Sequence, residues 1–210
     1  AAHMAAMTTG QVVTLSSDQL AALKTAQVAA LTVANLAKIT TDQITSFTTV
    51  QVAALKTAQV EALTTAQVAS LTTNQLAALK TAQLVSMETD DIAAITTDQI
   101  AALTTAQVAS LTTAQVVALT TGQMPNLLTS QVAALKAEQV AALETADLAK
   151  LTTDQVQALT TAQVVALTTE QASVLTTKQI AGLDATQVAA LATDDLAELS
   201  TAAILGLSTL

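Results

Sequence analysis

Large apolar side chains recur along this chain at alternating steps of five and three residues, four on average, and that spacing excludes the simplest way a helical sequence can fold. The underlying period is an octad that runs without insertion or deletion from Met7 to Leu207, 25 octads over 200 residues. It reads cleanly as Leu103-Thr104-Thr105-Ala106-Gln107-Val108-Ala109-Ser110 and again from Leu111 to Ala118. With the positions lettered a to h, a is Leu, Ile, Met or Phe throughout. Position f is Val, Ile or Leu except at Met124 and Ala172. In one continuous α-helix a four-residue step advances about 400°, so the apolar stripe would drift about 40° per step and circle the helix. Coiled-coil seams need a mean spacing near ~3.5 residues, or about 3.67 for a right-handed supercoil. One long helix is therefore excluded.

Thr and Val favour strands, which makes a β-solenoid the alternative. Its tight corners call for Gly, Asn or Asp, yet the whole chain has only 4 Gly and 3 Asn. Positions g and h are mostly Ala, the best helix former and a weak strand former. The expected fold is all-α: an α-solenoid of very short helices, one per octad, with a corner at Leu-Thr-Thr. Helices this short are unstable alone and persist only when their a and f side chains pack against other octads.

The corner carries its own signals. Thr or Ser at b with Gln at e has the spacing of a capping box, in which a hydroxyl accepts from a first-turn N–H and the amide reaches back. With b as the cap, the apolar a and f residues take the two places of a hydrophobic staple. A competing frame puts the cap at c, because c is Thr in 21 of 25 octads while b is Lys at positions 24, 56, 80 and 136. Gln occupies e in 20 of 25 octads, with Asn35, Asp91, Asp147, Asp195 and Ala203 as the others. An amide is neither acid nor base near neutral pH, so the Gln ladder is expected to satisfy backbone groups. The residues that define this structural role are Leu103, Leu111, Thr104, Thr105, Thr112, Thr113, Gln27, Gln67, Gln107, Gln115, Val108 and Val116. The carbonyls that each corner leaves free require either extended corner residues or the Gln of a neighbouring coil.

Deviations from the consensus recur at a longer period. Lys24, Lys80 and Lys136 lie 56 residues apart, as do Asn35, Asp91 and Asp147, and Asp42, Asp98 and Asp154. Residues 20–75, 76–131 and 132–187 read as tandem copies of seven octads within a single array at 7–210. Seven octads in two turns, about 3.5 per turn, leaves a core that Leu and Val can fill at protein density, whereas a seven-sided turn does not. Duplication of a length unrelated to the turn is the alternative. One defect interrupts the pattern at Met124-Pro125-Asn126, where proline removes a backbone donor inside a short helix. A bend with a docking point and a tolerated substitution both fit it. Residues 1–6, which begin Ala-Ala-His-Met, are read as a cloning remnant outside the fold.

Composition argues against most chemistry. The net charge of −9 and the absence of Trp and Tyr are a poor match for nucleic acid or an anionic membrane. No apolar run reaches the roughly 18 residues of a membrane span, and no cysteine is present for a disulfide or a thiol metal site. The single histidine, His3, lies in the terminal stretch, so no nucleophile–histidine–acid set can form. The acidic pairs Asp90-Asp91 and Asp194-Asp195 suit first helical turns better than a calcium loop. Neither enzymatic activity nor a cofactor, metal or small-molecule substrate is expected.

The phrase L-[ST]-x-x-Q-[VIL]-x-x-L, seen from Leu63 to Val68 and throughout residues 7–207, resembles octapeptide repeat arrays of large bacterial secreted or surface proteins of the RTX and adhesin type. The resemblance implies a spacer or stalk in a longer extracellular or cell-surface protein, with neighbouring domains or a protein partner. The glycine-aspartate calcium repeats of RTX arrays are missing. The alternatives are a protein-interaction scaffold and an ice-binding surface built from the Thr rows.

Overall fold

The computed structural model describes residues 2–207. Among the described residues are 25 α-helices, from four to seven residues long, and one 3-10 helix, with no strand. Each octad except 119–126 contributes one helical turn that starts at c, so the chain is an α-solenoid and the β alternative falls. Thr sits where a helix begins, and Ala follows where the helix runs.

The cap is at b. Thr104 is extended at φ −72° and ψ 156°, and its hydroxyl accepts from the backbone N–H of Gln107. The helix itself runs Thr105–Ser110, and position c is its first residue. The same frame holds at Thr112, which caps Thr113–Val117. The turn closes when the f amide bonds the b carbonyl, as Val108 N does to Thr104 O at 3.0 Å, and the next a amide bonds the f carbonyl, as Leu111 N does to Val108 O at 3.2 Å. Position a then swings out to extended backbone; Leu111 has φ −53° and ψ 141°. No described residue has a positive φ, glycines included. Two consecutive extended residues make the corner, which is why an array this rich in turns needs almost no glycine.

The chain divides into two compact units, Ala1–Leu111 and Thr112–Leu210. In the first, each helix packs on the one three octads later: Thr65–Ser70 on Thr89–Ala94, and Thr73–Ala77 on Thr97–Ala102. The second repeats the rule with Thr161–Val165 on Ala185–Ala190 and Thr177–Ala181 on Thr201–Leu207. In both units a and f side chains fill a dry interior. Leu103 is 4% exposed and Val108 1% in the first; Val116 is fully buried in the second. Each such side chain contributes roughly 1.5–3 kcal/mol by leaving water.

Packing between coils is close because h is small. The Ser86 hydroxyl donates to the Thr57 carbonyl at 3.1 Å, 29 residues earlier. A β-carbon added to Gly182 would stand 2.5 Å from Thr153 Cγ2, again 29 residues earlier. Positions h and c therefore face one another across successive coils. At the amino terminus, residues 2–5 form a helix that packs on Thr25–Val28, and Met4 is buried. The stretch expected outside the fold thus has a place in its first coil, with His3 exposed.

Candidate functional site

The chemistry concentrated in this fold is the glutamine at e, and its side chain works in two directions. Gln107 accepts at Oε1 from the backbone N–H of Thr104 at 2.8 Å, completing the capping box within its octad. Its Nε2 donates to the carbonyls of Leu76 at 3.0 Å and Leu79 at 2.8 Å, which are 31 and 28 residues earlier. A longer contact of 3.3 Å reaches Ala77 O. One amide thus starts its own helix and closes the corner of an earlier coil.

The offset is constant within each unit. Gln43 reaches Leu15 O at 2.8 Å, Gln51 reaches Leu23 O at 2.7 Å, and Gln67 reaches Ile39 O at 2.7 Å. In the second unit Gln163 reaches Leu135 O at 2.7 Å and Gln171 reaches Leu143 O at 2.7 Å. Each bond spans 28 residues, which at eight residues per octad is three and a half octads. The 56-residue echo in the sequence is therefore twice the structural turn. A half-integral count brings every corner against the middle of an octad in the coil before it, and the pattern returns to register after two turns.

Gln67, Gln107 and Gln115 are each 2% exposed. Burying an amide at that depth is tolerable only when both of its ends are bonded. No buried side-chain nitrogen or oxygen lacks a partner among the described residues. Gln27, half-buried, caps its own octad by accepting from Lys24 N at 2.8 Å. Thr105 and Thr113 are exposed at the first helical position, and Leu103, Leu111, Val108 and Val116 belong to the core. Sequence reasoning located the amide but left its inter-coil partner open. The 28-residue half of the 56-residue echo was the available signal.

Departures from the consensus show which half of the device each residue supplies. Lys24, Lys56, Lys80 and Lys136 have no side-chain acceptor, so only the Gln half of the box remains at those corners. Asp184 replaces the cap hydroxyl, and bonds from the Gln187 backbone N–H and the Thr186 hydroxyl hold its carboxyl below the usual range. Asn35 is a short rung: its Nδ2 donates to Met7 O at 3.0 Å, 28 residues back. At the proline defect the octad ends in the 3-10 helix Met124–Asn126. What is lost is one g-to-c bond of the kind Ala29 N makes to Thr25 O at 2.9 Å. Met124 stays fully buried, and Gln155 still reaches Met124 O at 2.8 Å and Leu127 O at 2.6 Å. The rung survives the proline, and the defect is a local substitution.

Asp91 and Asp147 also occupy e, each 3% exposed. Burial pushes the Asp91 carboxyl up to about 6; the Glu88 backbone N–H opposes the rise, and the charges of Glu88 and Asp90 add to it. Burial, with the charge of Glu144, likewise pushes the Asp147 carboxyl up to about 6.

Among the described residues no group of three or more His, Cys, Asp or Glu could hold a metal ion, and no helix is long and apolar enough to cross a membrane. A shallow hollow at Thr9, Gly10, Val13 and Lys38 brings together no catalytic set. A model of the family described as the ALTTAQ repeat matches residues 2–33, 36–73, 71–105, 100–129 and 140–177, well over half of the chain. No curated protein matches it.

Proposed function

The chain belongs to the ALTTAQ repeat family, and on that premise we propose that it is a structural spacer within a longer secreted or surface protein of the bacterial RTX or adhesin type. The observation that carries this reading is the constant 28-residue rung offset in both units. Each added octad finds its hydrogen-bond partners and its apolar neighbours within the preceding coil, so the array can be lengthened without a new design. Its dimensions then scale with octad number. The resemblance to secreted arrays is what supports an extracellular setting.

Small-angle scattering on the chain and on variants with one 56-residue block removed or duplicated tests the reading. A spacer gains the same increment in longest dimension with each block. A longest dimension that does not change, or a flexible-coil profile, refutes it.

The scaffold reading draws on exposed apolar side chains, among them Val50 at 65%, Val165 at 61% and Leu128 at 51%. Four of them, Val13, Val85, Val117 and Val165, share position g. The ice-binding reading draws on Thr side chains that stay exposed at b and c, as at Thr104, Thr105, Thr112 and Thr113, and a thermal-hysteresis assay without effect removes it.

A further inference from the structure

Two rungs of the array end in a carboxyl instead of an amide. Asp91 and Asp147 stand at e, and each follows a glutamate at b, Glu88 and Glu144. Neither glutamate makes a side-chain cap bond. The rungs flanking Asp91 show what an e side chain meets: Gln83 bonds Val52 O and Leu55 O, and Gln99 bonds Val68 O and Leu71 O. The same offsets set the carbonyls of Val60 and Leu63 opposite Asp91, and those of Val116 and Leu119 opposite Asp147. Asn35, whose side chain has the length of aspartate, reaches its carbonyl at 3.0 Å. An ionised carboxylate only accepts, and so does a carbonyl; a protonated carboxyl can donate.

We propose that Asp91 and Asp147 are proton-gated rungs: as neutral acids they donate O–H to Leu63 O and Leu119 O, and ionisation breaks that bond and loosens the two coils it joins.

The surrounding charges reinforce the gate. Glu88 and Asp90 flank Asp91 on its own octad, and the helix Thr65–Ser70 packed against it carries no ionisable side chain. In the octad before that helix, Lys56 and Glu61 are exposed. Asp147 has Glu144 and the exposed Lys150 on its own octad, and its packing partner Thr169–Ser173 brings only the exposed Glu170. Asp195 shares the position and is also 3% exposed, but it follows Ala192 in place of a glutamate at b.

The direction of the effect follows from linkage. Between the ordinary value of 3.8 and about 6 the folded chain keeps protons that the unfolded chain has released, so stability falls as pH rises through that window. The array tightens in acid and loosens toward neutrality at these two places.

The test is a carboxyl-carbon NMR titration of the full chain, with amide hydrogen exchange of residues 60–63 and 116–119 followed in parallel. Midpoints near 6 for both aspartates are expected. Between pH 4.5 and 7.5 the local protection factors should fall about tenfold, below the roughly hundredfold that two fully shielded pKa units would give. Asp91→Asn and Asp147→Asn, which keep a donor at every pH, should abolish the fall, each at its own coil. Midpoints in the ordinary carboxylate range, or an unchanged fall in the Asn variants, would overturn the proposal. So would midpoints that drop when sodium or calcium is added, since a cation would then occupy the junction in place of the proton.

Discussion

Replacing Gln107 by methionine keeps the length and volume of the side chain while deleting all of its hydrogen-bonding capacity. The change strips Thr104 N–H and Leu79 O of the Gln107 partner, removes the longer contact to Ala77 O, and leaves Leu76 O with only its bond from Leu79 N–H. A buried polar group stripped of its partner costs about 1–3 kcal/mol. Two bare groups and the weaker losses at Leu76 O and Ala77 O, partly offset by apolar burial of the thioether and by local relaxation, give an expected loss of about 2–4 kcal/mol. The control is inside the molecule. Gln19 is exposed and makes the same box, accepting from Ser16 N at 2.8 Å, but its Nε2 bonds no carbonyl of another coil among the described residues. Gln19→Met should therefore cost only about 1 kcal/mol, the worth of half a cap. The assay is native-state hydrogen exchange, because a linear array need not unfold in one step. In Gln107→Met, protection should collapse at Thr104 and at the corner 76–79, on two coils at once. Equal losses in the two variants, or a loss confined to residues 103–110, would refute the inter-coil role of the amide.

Leu103→Ala removes a side chain that is 4% exposed, and chemical denaturation should show a loss of about 2–5 kcal/mol. A loss under about 1 kcal/mol would mean that the coil closes over the gap. Lys80→Thr restores the missing cap acceptor beside Gln83, whose Oε1 already accepts from Lys80 N at 2.6 Å. It should stabilise the chain by about 0.5–1.5 kcal/mol in the same assay. Pro125→Ala returns a single g-to-c bond, and its effect should stay within about 1 kcal/mol, with the helix count by circular dichroism nearly unchanged. A large gain in either measure would show that the proline strains the array.

Much of this protein was legible in its sequence because the octad is a local device. The four-residue apolar spacing rules out a continuous helix on geometry alone, and Thr64 with Gln67 or Thr104 with Gln107 specifies the start of a helix within four residues. The choice between b and c was not legible, since both carry Thr and only backbone angles distinguish a cap from a first helical residue. The partner of Gln107 Nε2 was not legible either. Leu76 and Leu79 are 31 and 28 residues away, and nothing in the octad itself says how many octads make a turn.

The 56-residue echo pointed to that number, and the tertiary structure fixes it. A solenoid closes its turn at the size where a and f side chains fill the interior and each corner meets an acceptor row. Three and a half octads satisfies both, with the Gln amide bonded on both sides. The sequence by itself determined the unit, its polarity and its corners, since these depend on contacts within eight residues. Only the fold decided which distant carbonyls each amide would meet, and with that it gave Asp91 and Asp147 their character. The same carboxyl that is ordinary in an unfolded octad becomes, once a coil is laid against it, a buried acid facing oxygen.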